Sequence, residues 1–194
     1  AFNPFYVADG YYSIEKREQL ASLVFCLWKN ETETVTKAEE THIADAINGY
    51  LLQVTAGACM PSFNTFYDYL QTTFKQQLKQ QDVRDVHFDI DNLLQVLRPY
   101  YNGGMYDYLL NATQNINLLT KRFIVFEIDN IKDHKTLFPV VTLILMDTFI
   151  SKMRHPSVSN QRKLILIEEA WKAISKQGTA EFIKYLFKTV RKHF

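Results

Sequence analysis

Apolar residues recur every three or four positions through the first hundred residues, the spacing that gathers side chains on one face of a helix. Between Ile14 and Trp28, the positions Leu20, Leu23, Val24, Leu27 and Trp28 predict a largely buried helix. The polar stretch Lys29 to Thr36 reads as a loop. Lys37 to Ala56 carries the next apolar face, Ile43, Ala46, Ile47, Tyr50, Leu51 and Val54, and Gly57 is placed to stop it. Pro61-Ser62 opens a third helix with Ser62 as its N-cap, and Phe63, Phe66, Tyr67, Leu70, Phe74 and Leu78 form one stripe along it. Helix packing is the ordinary use of such a stripe, although it also suits a docking face. A fourth helix, Asp89 to Arg98, ends before Pro99, because proline pushes the residue before it out of helical backbone.

The pattern changes after Tyr101-Asn102-Gly103-Gly104. Lys121 to Ile128 (KRFIVFEI) is short, apolar and rich in β-branched and aromatic residues, which predicts a buried strand. Leu137 to Met153 is apolar nearly all round, as expected of a helix covered on several sides. A polar turn, His155 to Gln161, leads to a second apolar strand, Lys163 to Ile167 (KLILI), and then to Glu168-Glu169-Ala170-Trp171. A last helix is expected from about Thr179 to Lys192, with Phe182, Ile183, Leu186, Phe187 and Val190 on its apolar face. Strand, crossover helix and strand make a βαβ unit whose strands should be parallel and covered on both faces. Two strands do not form a stable open sheet, so the remaining strands are expected from sequence outside the chain or from a partner. The expected fold class is α/β and helix-rich. Residues 1–104 form a mainly α-helical subdomain and residues 105–194 a partial α/β segment.

Composition narrows the possibilities. A chain of 194 residues, 47% hydrophobic and 14% aromatic, is neither disordered nor collagen-like and can bury a core without disulfides or metals. A net charge of +1 gives no bulk pull towards nucleic acid or an anionic membrane. The longest strongly apolar stretch, Leu137 to Ile150, is too short to span a bilayer and is interrupted by Pro139 and Asp147. Cys26 and Cys59 fit no zinc or redox spacing and read as buried structural thiols. The chain starts Ala1-Phe2-Asn3-Pro4 without Met and stops after a strong helical pattern, so it is expected to be an excised piece of a longer protein.

The sharpest chemical signal is Leu164-Ile165-Leu166-Ile167-Glu168-Glu169. Ligands of open α/β sheets sit at the carboxyl ends of strands, and carboxylates are costly to bury. Four aliphatics ending in two acids have the shape of a Walker B segment, in which the first acid helps hold Mg²⁺ and the second orients the attacking water. The bland reading is that Glu168 and Glu169 begin a helix, where acids are favoured. A second acidic set, Glu127, Asp129 and Asp133, could coordinate a metal, but solvated acids leaving a strand are the preferred reading. Arg191-Lys192-His193 suits either a phosphate contact or the cationic end of a helix. Gly103-Gly104 is not a phosphate loop, and no G-x-x-x-x-G-K-[ST] occurs in the chain.

Taken in order, Phe2-Asn3-Pro4-Phe5, a helical block, Gly103-Gly104-Met105-Tyr106, Phe123-Ile124-Val125-Phe126, LILIEEAW (Leu164 to Trp171) and TVRKH (Thr189 to His193) resemble a known family. It is that of the VirB/TraG-type ATPases of conjugative type IV secretion, most closely the TraG group of Bacteroides-type conjugative transposons. The resemblance implies a RecA-like P-loop NTPase motor with an all-α insertion between Walker A and Walker B. This chain would run from after Walker A to just past Walker B. Glu169 would be the catalytic glutamate, and Glu168 would take the usual Walker B aspartate position and meet Mg²⁺ through water. Its extra methylene puts that coordination in question. Arg191 would touch ATP phosphate or a neighbouring subunit. The resemblance implies ATP and Mg²⁺ for the whole protein but not for this piece, which lacks the Walker A Lys and Ser/Thr. It further implies membrane proteins of the secretion apparatus as partners, a homo-oligomer (hexamer) and a cytoplasmic place peripheral to the inner membrane. The competing reading is a non-catalytic helical interaction or scaffold module of a multiprotein assembly. The double acid after a strand separates the two, since a scaffold has no need of it.

Overall fold

Every helix expected in the first hundred residues forms, and each start has an identifiable cap. A computed structural model describes residues 2–7, 10–30, 32–112, 118, 121–131, 133–134, 137–154, 157, 161–166 and 168. Its contacts divide the chain into two units, residues 1–115 and 116–194. In the first unit, α1 is Ile14–Trp28, and its N-cap Ser13 accepts from the Lys16 N–H at 3.2 Å. Helix α2, Lys37–Thr55, begins in a reciprocal capping box between Thr36 and Glu39. It stops at Gly57, whose φ of +74° is a left-handed conformation that costs a side-chain-bearing residue. Ser62 and Thr65 build a second such box at the start of α3, Phe63–Tyr69. A π-turn at Leu70–Phe74 continues α3 into α4, Lys75–Gln80. Asp89 caps α5, Ile90–Leu97, which runs into a 3₁₀ turn at Arg98–Tyr100 and then, after a loop, into α6, Asp107–Leu110.

The π-turn is a feature that the sequence pattern did not announce as such, yet its cause lies in that pattern. Phe66, Leu70, Phe74 and Leu78 follow at four-residue intervals. An α-helix turns about 100° per residue, so such a row drifts by roughly 40° at each step. A π-turn is wound more loosely and takes up the drift. All four side chains consequently stay buried. The whole stripe from Phe63 to Leu78 is core and is not a surface for a partner.

Helix α1 packs on α2 and α5, and the π-turn packs on both α2 and α5. Two aromatic clusters fill the interior. Phe5 meets the Tyr50 ring edge-on at 5.7 Å and the Phe66 ring at 5.1 Å, while Tyr50 and Phe66 lie 5.3 Å apart. Phe88 joins Trp28 at 5.6 Å to Phe74 at 6.1 Å. Trp28 also donates its indole N–H to Asn92 Oδ1 at 2.7 Å, tying α1 to α5. Because Asn92 itself is exposed, water can partly replace it. Asn92→Ala is therefore expected to cost about 1 kcal/mol, the net value of one hydrogen bond, seen as a lower urea midpoint at unchanged slope.

Glu39 gives the first unit a pH-dependent contact. Burial pushes its carboxyl up, but the Lys29 ammonium at 2.6 Å and the hydrogen bonds from the Thr36 N–H and hydroxyl outweigh it, and the net shift is down. A depressed carboxyl stabilises the fold above its ordinary pKa, and that contribution is lost as pH falls through the folded value. Lys29→Met should therefore cost stability near neutral pH, and the difference should shrink as pH falls through the depressed folded value of Glu39. Parallel urea melts over that fall in pH read the convergence; curves that keep a constant offset would remove the ion pair as the cause.

In the second unit, a 3₁₀ turn at Asp129–Ile131 precedes α7, Leu137–Arg154. His134 starts this helix: its Nδ1 accepts from the Leu137 N–H at 3.2 Å and its carbonyl from the Phe138 N–H at 3.1 Å. As the all-round apolar pattern predicts, Ser151 alone among the described side chains of α7 is exposed. Lys152 donates its ammonium to the Leu118 carbonyl at 2.9 Å and also to that of Lys121. The expected βαβ sheet is not seen. Among the described residues there is no strand, and Lys121–Ile128 and 163–166 run without helix or pairing. Phe123 is 86% exposed and Leu164 89%, so the burial expected of these two strands is not shown among the described residues. The physical reason is that a strand is defined by its ladder, and the described residues give neither segment a neighbour to pair with. The last helix expected, 179–192, lies outside the described residues.

Candidate functional site

The apolar run 164–166 leads to Glu168, which sits on a turn and is exposed. Glu169, Trp171 and Arg191 lie outside the described residues, as does the rest of the Arg191-Lys192-His193 cluster. Of the residues assigned to nucleotide chemistry, only Glu168 therefore has a described position. The second acidic set is spread along an exposed stretch, where Glu127 Oε1 accepts from the Asp129 N–H at 3.0 Å. Among the described residues no three His, Cys, Asp or Glu side chains come together in a way that could hold a metal ion. Both cysteines are half-buried thiols outside any disulfide. Cys26 lies in α1, whereas Cys59 lies in the turn after α2, and burial pushes its thiol up. That is inert chemistry, since a reactive thiol needs a lowered pKa.

The double glycine proves to be part of a tightly clasped loop. Gly103 takes a φ of +74°, and Gly104 lies so close to the 3₁₀ turn that a Cβ there would meet the Pro99 carbonyl oxygen at 2.3 Å. The Gly104 N–H donates to the Tyr101 carbonyl and the Tyr106 N–H to that of Pro99, both at 2.8 Å. Side chains from distant positions close the clasp. Asn111 donates its amide to the carbonyls of Tyr100 at 3.1 Å and Asp107 at 2.9 Å, and its Oδ1 accepts from the Asn64 N–H at 2.8 Å. Asn64 Oδ1 in turn accepts from the Asn102 N–H at 3.0 Å, and Asp107 from the Gly103 N–H at 3.1 Å. Tyr101 donates its hydroxyl to Asp68 at 2.7 Å and stacks on Tyr67 at 4.3 Å.

A shallow depression of about 600 Å³ opens beside this loop, between Arg98, Gly103, Gly104, Met105 and Tyr106. Arg98 is the cation there, but its guanidinium lies 5.3 Å over the Tyr101 ring and donates to the Asn102 carbonyl at 3.3 Å. It serves the loop. Next to it, the Tyr100 hydroxyl is buried without a hydrogen-bond partner, and burial pushes its pKa above the usual range. The Asn-Pro near the start has a comparable role. Buried Asn3 donates to the Pro61 carbonyl at 2.8 Å and accepts from the Phe5 N–H at 3.1 Å, which steers Phe5 into the core. Sequence reading singled out Asn3-Pro4 and Gly103-Gly104 but missed Asn64, Asp68 and Asp107. Asparagine beside glycine and at a helix start was the available signal.

Whole-chain comparison settles what these scattered features belong to. A family model described as the TraG P-loop domain matches residues 1–194. The chain belongs to the TraG P-loop domain family. No curated protein and no solved structure matches it. Within this TraG P-loop domain, the double glycine and Asn-Pro are structural anchors of the helical unit, bonded to backbone groups and, at Gly103, to the Asp107 carboxylate. The family fits a conjugative-transfer motor and, in general, nucleotide and Mg²⁺. No helix of the described residues is long and apolar enough to cross a membrane.

Proposed function

We propose that this TraG P-loop domain is part of an ATP-hydrolysing motor that powers conjugative DNA transfer through a type IV secretion apparatus. The observation that carries the reading is the match over residues 1–194, together with the apolar run that ends in Glu168-Glu169. Glu169 holds the water that attacks the γ-phosphate and accepts its proton. Glu168 acts on the Mg²⁺ of the MgATP substrate through a water. Glu168 itself is exposed, which agrees with a contact made through water. Arg191 contacts phosphate or the neighbouring subunit of a hexameric ring. The motor works at the cytoplasmic side of the inner membrane, against membrane proteins of the apparatus.

The grip on the β- and γ-phosphates comes from elsewhere, because no G-x-x-x-x-G-K-[ST] lies in the 194 residues. Without that loop and its lysine, residues 1–194 by themselves should bind MgATP weakly or not at all. Isothermal calorimetry on the chain tests this, and tight Mg²⁺-dependent binding would place a complete phosphate site inside it. The scaffold reading takes no support from the Phe63-to-Leu78 stripe, which is buried within its own unit.

A further inference from the structure

We draw no further inference here: the strongest candidate, the apolar surface patch that Phe123, Val125, Leu164 and Leu166 expose in the second unit, carries nothing because nothing in the structure shows what covers it.

Discussion

Glu169→Gln, made in the motor that carries the P-loop, is expected to lower ATP turnover about 10²- to 10⁴-fold, the usual worth of a general base. Glutamine keeps the size of glutamate and can still hydrogen-bond a water. It cannot take the proton. Binding of MgATP depends on the phosphate loop and the metal, so its affinity should be unchanged in the variant. Steady-state hydrolysis and calorimetric titration of the same preparation separate the two quantities. Loss of turnover with intact binding places Glu169 on the attacking water. Unchanged turnover would remove it from that role, and parallel loss of binding would assign it to holding the substrate instead.

The two units differ in how much of them the sequence could reveal, and the reason is where the partners lie. Helix α1 is legible because a helix makes its own hydrogen bonds, and Leu20, Leu23, Val24, Leu27 and Trp28 need only a shared face to mark it. The N-cap at Ser62 is equally local, reaching three residues ahead to Thr65. By contrast, the clasp around Gly103 draws on Asn64, 38 residues before Asn102, and nothing in the local pattern ties those positions together. The strand expectations are not shown among the described residues for a related reason: half of a strand's hydrogen bonds belong to its neighbour. The composition of Lys121–Ile128 favours extended backbone but says nothing of which strand pairs with it. Glu168 shows the same divide in the candidate site: its type and order were readable, while its surroundings depend on the sheet that the described residues do not contain.

Gly104→Ala is expected to be strongly damaging to the helical unit. Its new Cβ would stand 2.3 Å from the Pro99 oxygen, 2.6 Å from the Pro99 carbonyl carbon and 2.8 Å from the Arg98 oxygen. All three are backbone atoms, so no side chain can swing aside. The loop would have to lift from the 3₁₀ turn, which breaks the Tyr106 N–H bond to Pro99 and loosens the Asn111 amide that spans Tyr100 and Asp107. A loss of roughly 3–5 kcal/mol follows, a large part of the 5–15 kcal/mol that typically holds a domain together. Gly103→Ala provides the control. There the φ of +74° disfavours a side chain, but nothing lies within 4 Å of the added carbon. The cost should be about 1–2 kcal/mol, the ordinary penalty for a left-handed residue. Urea unfolding of both variants decides between clash and backbone preference. Equal, mild losses at the two positions would mean that the loop does not press against Pro99, and that the double glycine is needed only for its turn.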